Sequence, residues 1–319
     1  MPLNIRRILV AVADGSATKV TRRAGDLAHL AHAQVELLSV VRPESGIQAV
    51  PIAALLQINR AIAQNRQSEL EKLAAPLRRR GIKVTCTVVM DDSLTDSIAR
   101  RLKQAPASLV AIEAHQHRRL SRWLLSQSDY ELIRHCPVPL LIVKRAVRAG
   151  RRPVLAALDP WHRNDKPASL DARIAEAGRA VAKLLGVALH SVHVYTPLVG
   201  FVADAAFAPA AFPVPLPQEN AHRATVRRRF KALNARFGIA ARLTHLLPGD
   251  PTFELPAITR SIGAQMLVIG AISRSALRRL IIGNTAERVL DEVTCDVLVV
   301  KPGTGRKGKA SATRRRKAP

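Results

Sequence analysis

Acidic residues, aromatics and cysteines are all scarce in this chain. Its 319 residues carry 24 Asp and Glu against 50 Lys and Arg, with two Trp, two Tyr, six Phe and three Cys. Cys86, Cys136 and Cys295 lie far apart and form no CxxC pair. That spacing excludes a disulfide framework and a thiolate zinc site, and predicts three small buried hydrophobes. No apolar run approaches the roughly 20 residues that a membrane-spanning helix needs. Met1 to Val12 offers no apolar core of signal-peptide length, so the expected location is the cytoplasm. No Walker lysine motif is present, nor a nucleophile paired with an activating base.

The charge of +26 is spread along the chain: 23 basic residues face 12 acidic ones up to Gly150, and 27 face 12 beyond it. Residues 303–319 hold seven of the basic residues and no acid, set among Gly, Ala, Ser and Thr that cannot build a core. This predicts a disordered basic tail. It serves either solubility or a weak contact with a polyanion through counterion release.

One order of elements occurs twice, with a period of about 150 residues. The first copy has apolar strands at Ile8–Ala13, Val35–Val41, Lys83–Val89, Ser108–Ala114 and Pro139–Lys144, separated by helical patterns at Ala17–Ala33, Ala53–Arg80, Leu94–Gln104 and Ser128–His135. The second has strands at Pro153–Leu158, Ala188–Tyr195, Ala241–Leu247, Ala264–Gly270 and Asp296–Lys301. Strands alternating with helices argue for parallel sheets, and near-continuous apolar runs argue for helices on both faces. The reading is α/β: two tandem, doubly wound, five-stranded parallel-sheet domains over residues 1–146 and 147–302. The basic stretch Lys144–Arg152 joins them.

In such sheets ligands sit beyond the carboxyl ends of the strands, where strand order reverses. Both copies place an aspartate after strand one, Asp14 and Asp159. It would bind a ligand N–H or hydroxyl, or else cap the turn that follows. After strand four the second copy reads Gly270-Ala-Ile-Ser273, then nine residues to Gly283-Asn284-Thr285 at the start of the last helix. Glycines at a strand exit and at a helix N-terminus let backbone N–H groups approach an anion.

Here the chain resembles the universal stress protein (UspA) family, whose nucleotide-binding members carry Gly, two residues, Gly, nine residues, Gly and Ser or Thr at this place. The closing stretches Gly283-Asn-Thr-Ala-Glu-Arg-Val-Leu and Cys295-Asp-Val-Leu-Val-Val-Lys-Pro, with their first-copy counterpart from Asp129 to Lys144, resemble the tandem UspE-like branch. The resemblance implies an adenine nucleotide alpha hydrolase-like fold, a loop that wraps ATP phosphate and ribose, and a role in stress survival, including tolerance of DNA damage. It also implies that the domains pack as an intramolecular pseudo-dimer through their last strands, Leu140, Leu141, Ile142 and Val143 against Val297, Leu298, Val299 and Val300.

Ser273 stands where the family's second glycine belongs, and Asn284 where its Ser or Thr belongs. The first copy offers Glu113, Gln116, Ser126 and Gln127 at the four motif positions, and Glu113 would repel a phosphate. The expectation is a non-enzymatic protein that requires no cofactor, with a structural first domain. Its second domain would keep a pocket at Asp159, Gly270, Ser273, Gly283, Asn284 and Thr285 for an adenine nucleotide such as ATP or for a lipid-like molecule. The alternatives are slow ATP hydrolysis and a basic, nucleic-acid-associated protein.

Two further features stand out. His115 and His117 follow strand four of the first copy and, with Asp14, form a candidate metal site; the UspE-like branch is similar in carrying His-x-His there. Thr196–Gln218 is long and apolar, with Phe201, Phe207 and Phe212 and a single charge at Asp204. It would either lid a cavity or pack against the first copy or a partner. His190 and His193 read as strand residues with satisfied hydrogen bonds, and the Arg-rich runs at 78–80 and 227–229 as solvated helix faces.

Overall fold

Alternate residues of each central strand feed opposite cores, and this fixes the layering. In a computed structural model that describes residues 3–13, 17–45, 51–116, 123–144, 151–161, 168–198, 216–271 and 284–302, Ile8 and Val10 enter one buried cluster while Leu9 and Ala11 enter the other. Each cluster runs through both repeats, taking in Val154 and Ala156 on one face and Leu155 and Leu267 on the other. Helices therefore cover a sheet on both sides, as its continuous apolar strands require.

The first repeat comprises β1 (Arg7–Ala11), α1 (Thr18–Ala31), β2 (Gln34–Val41), α2 (Ile52–Arg79), β3 (Val84–Met90), α3 (Leu94–Gln104), β4 (Leu109–Glu113), a small pair β5 (His115–Gln116) and β6 (Trp123–Leu124), α4 (Gln127–His135) and β7 (Leu140–Val143). The second comprises β8 (Val154–Ala157), α5 (Ala168–Leu185), β9 (Leu189–Tyr195), α6 (Leu216–Arg236), β10 (Thr244–Pro248), α7 (Pro251–Ser261), β11 (Met266–Gly270), α8 (Asn284–Glu292) and β12 (Asp296–Val300). Local chemistry starts several helices. Ser93 Oγ accepts from the Asp96 N–H, Ser126 and Asp129 form a capping box, and Asp250 caps a helix that begins with Pro251.

The two expected five-stranded sheets are halves of one ten-stranded sheet, ordered β10-β9-β8-β11-β12-β7-β4-β1-β2-β3. Within each half all pairings are parallel. At the centre β12 meets β7 antiparallel, with Val297 opposite Ile142, Leu298 opposite Leu141 and Val299 opposite Leu140. Three details differ from the sequence reading. Residues 241–243 close a 3-10 turn, with the Leu243 N–H on the Ala240 carbonyl, so the strand starts only at Thr244. The two-residue strands β5 and β6 are too short to leave a periodic signal. Cys136 and Cys295 are buried, but Cys86 is only partly covered; burial pushes its thiol up to about 11, which leaves it protonated near neutrality.

Polar groups tie the halves together around this central ladder. Lys144, fully buried after β7, donates from Nζ to the carbonyls of Leu290 and Val293 at the end of α8. Lys301, after β12, donates to the carbonyls of Arg134 and Cys136 at the end of α4, at 2.7 and 2.5 Å. Helix C-termini expose unpaired carbonyls and partial negative charge, so each lysine meets an opposite dipole end. Helices α4 and α8 repeat the reciprocity: the Tyr130 hydroxyl donates to Asp291, and Arg134 donates to Glu287, from corresponding positions of the two repeats. Arg23 on α1 completes the joint through a buried ion pair with Asp296 at 2.8 Å.

Candidate functional site

Each half has the strand order three-two-one-four-five, so order reverses between its first and fourth strands. In the second domain these are β8 and β11, paired from Val154 opposite Met266 to Ala156 opposite Val268. The sheet thus brings Asp159, two residues beyond β8, to the same end as Gly270, the last residue of β11.

Asp159 is held by its own turn. Its N–H donates to Asp171 on α5 at 3.0 Å, and its Oδ1 accepts from the Trp161 N–H at 3.1 Å. That is the turn-capping geometry expected of Asp before Pro. Behind it, the Leu158 carbonyl accepts a hydrogen bond from Nδ1 of buried His193 at 3.0 Å. A carbonyl only accepts, so that ring nitrogen carries the proton. His193, read from the sequence as a satisfied strand residue, is therefore also what braces the aspartate's turn.

Gly270 has a packing reason of its own. A Cβ there would sit 2.7 Å from Leu170 Cδ2 and 3.0 Å from Ile174 Cδ1. The glycine lets the start of α5 close down on the strand end. Asn284 and Thr285 form the first turn of α8, where N–H groups are unpaired within the helix. Ser273 and Gly283 lie outside the described residues.

The first domain treats the equivalent strand end differently. Glu113, the last residue of β4, accepts from the Val20 N–H in the first turn of α1 at 3.1 Å, and lies 3.6 Å from Lys19 Nζ. Helix α1 has no side-chain cap of its own, since Ala17 occupies that position. A carboxylate borrowed from the neighbouring strand supplies the acceptor and complements the helix dipole. Glu113 is thus itself the anion at this helix start.

Of the candidate metal ligands, His115 lies in β5 opposite Leu124, whereas Asp14 and His117 fall outside the described residues. Among the described residues, no three His, Cys, Asp or Glu side chains come close enough to hold a metal ion. Most of the apolar 196–218 segment also lies outside them. His190 and His245 stack with ring centroids 5.2 Å apart and share a 2.9 Å contact between Nδ1 and Nε2. Burial, and for His190 also the facing His245, lowers the proton affinity of the pair. His245 escaped the sequence reading, because nothing short of the sheet register brings it to His190.

The model of the universal stress protein family matches residues 4–144 and again residues 150–301. The chain belongs to the universal stress protein family. Among similar relatives, universal stress protein E of Escherichia coli strain K12 is 27% identical over 254 residues, covering 77% of each chain. A universal stress protein E homologue of Haemophilus influenzae is 26% identical over 242 residues, covering 74% of each. Among solved structures, a universal stress protein of Pseudomonas aeruginosa UCBPP-PA14 superposes with a TM-score of 0.70 at 26% identity, over 93% of this chain and 94% of that one. One from Archaeoglobus fulgidus shares the fold at 19% identity and a TM-score of 0.65, over 93% and 98%. Membership in this family supports a stress-response role for the chain. No helix among the described residues is long and apolar enough to cross a membrane.

Proposed function

We propose that this universal stress protein works by binding rather than turnover, with its two domains fused as an internal pseudo-dimer and one ligand pocket in the second domain. The pocket is assigned to Asp159, Gly270, Ser273, Gly283, Asn284 and Thr285, and its ligand is an adenine nucleotide or a lipid-like molecule. One observation carries this reading: equivalent strand ends are finished in opposite ways. The first domain fills its own with Glu113, seated on the N–H of Val20 and beside Lys19. The second ends in Gly270, which adds no side chain to the site and sets no negative charge against a phosphate. The first domain is then structural, and ligand occupancy in the second biases domain packing or partner choice. The basic tail adds a weak polyanion contact.

The test is native mass spectrometry of protein purified without added nucleotide, followed by denaturation to identify what is released. An adenine nucleotide or an apolar metabolite at one per chain supports the reading, and its loss in Gly283→Arg locates the site. An empty protein that binds neither class when titrated overturns it. Phosphate release by pure protein with ATP and magnesium would overturn the non-enzymatic part.

A further inference from the structure

Helices α2 and α6 occupy the same place in the two repeats, yet they handle charge differently. On α2, Glu69 and Glu71 pair with Arg66 and Arg78 at 2.6 and 2.5 Å. On α6 the one acidic residue, Glu219, is spent at the helix start, where it accepts from the Leu198 N–H. Arg223, Arg227, Arg228, Lys231 and Arg236 on α6 are all exposed, and none has a carboxylate partner among the described residues. The apolar residues Val226 and Phe230 are buried, so α6 offers water a basic face with little apolar surface.

Of these cations, Arg236 borders a trough. Between α5 and the end of α6 lies an open groove of about 530 Å³, lined by Arg179, Lys183, Arg236, Ala175 and Phe237, with Glu176 as its one acid. The three cations are exposed. Seven residues before Arg236 on the same helix, about 10 Å up its axis, Arg229 lies 3.8 Å above the Trp161 ring and extends the basic line.

We infer that the trough between α5 and α6 is a docking surface for the phosphodiester backbone of single-stranded nucleic acid. Three observations select this occupant. Exposed cations on both helices, with no carboxylate partner among the described residues, supply counterion release, the main source of affinity for a polyanion. A single groove of this volume accepts one strand, and the half-buried Phe237 ring, with the Arg236 guanidinium 5.7 Å from its centroid, offers a base a cation and a ring together. A membrane surface fits less well, because α6 buries Val226 and Phe230 and, among its described side chains, exposes no large apolar residue to enter lipid. The groove is built from the helix layer and does not involve Asp159 or Gly270, so it stands apart from the pocket proposed above.

The experiment is fluorescence anisotropy of the full chain with a labelled oligothymidylate across a salt series, in a background where every basic residue after position 303 is serine. That background is expected to retain binding. Arg179→Ala/Lys183→Ala/Arg236→Ala is expected to reduce the salt slope by about 2, at roughly 0.7 per cation for single strands, with an unchanged circular dichroism spectrum. Phe237→Leu is expected to weaken binding several-fold at unchanged slope. Four results overturn the proposal: no binding once the tail is neutralised, an unchanged slope in the triple variant, tighter binding to a duplex than to the single strand, or binding to phosphatidylglycerol vesicles with none to the oligonucleotide.

Discussion

Lys144 and Lys301 clasp each other's domain: each follows the last strand of its own repeat and donates to the C-terminal carbonyls of the other repeat's last helix. Lys144→Ala would strand two buried acceptors and leave a cavity. The expected loss is about 2 to 4 kcal/mol of unfolding free energy. Urea denaturation checks it, with Lys144→Met losing less because it restores the volume.

Burial pulls the ammonium groups of Lys144 and Lys301 down to about 8 from their ordinary 10.5. Between those values the unfolded chain keeps protons that the folded chain has released, so stability should rise from pH 8 toward pH 10.5. Below pH 8 the full cost of burying the charges is present. Denaturation at pH 7.5, 8.5 and 9.5, values set by that window, should show a steeper rise for the native protein than for Lys144→Met.

Arg23 and Asp296 are both almost fully buried at 2.8 Å, one from each repeat. Removing one partner leaves an uncompensated buried charge, so Arg23→Ala is expected to cost about 3 to 5 kcal/mol. A double-mutant cycle with Asp296→Asn measures the coupling. A coupling near zero would mean that the pair does not hold the joint.

Gly270→Ala tests whether close packing sets that glycine. Its Cβ would enter the space of Leu170 and Ile174, and overpacking of this kind costs about 1 to 3 kcal/mol. Thermal melting should show the loss without any ligand present. Leu170→Ala should restore part of it if the clash is the cause.

The half-buried His190 and His245 pair predicts acid sensitivity. Their proton affinities lie below the ordinary 6.5 in the folded state, so the unfolded chain takes up protons first and stability falls as pH drops below 6.5. His245→Gln should flatten that fall. Unfolding at pH 7 and pH 5.5, on either side of the ordinary histidine value, compares the two.

Much of this architecture is legible in the sequence because strands buried on both faces write themselves as unbroken apolar runs, such as Leu140 to Val143 and Val297 to Val300. Strand four of the first repeat ends where the run meets Glu113. What could not be read was the partner of each polar group. For Glu113 the sequence does not say that the Val20 N–H would lie 3.1 Å away. Asp159 left two readings open, and the hydrogen bond from the Trp161 N–H shows the turn-capping one. Lys144 and Lys301 did leave a signal, a lysine closing an apolar run in both repeats, but their crossed targets depend on an antiparallel join that only the fold supplies.

That join also changes how the two halves respond to dilution. A pair formed by separate subunits dissociates as concentration falls, and any subunit can meet any other. Here β7 and β12 belong to one covalent chain, so the pairing is independent of expression level and the unlike halves always meet each other. Such a chain can keep Glu113 at one strand end and Gly270 at the other, because a pair with two like ends does not form by exchange of subunits.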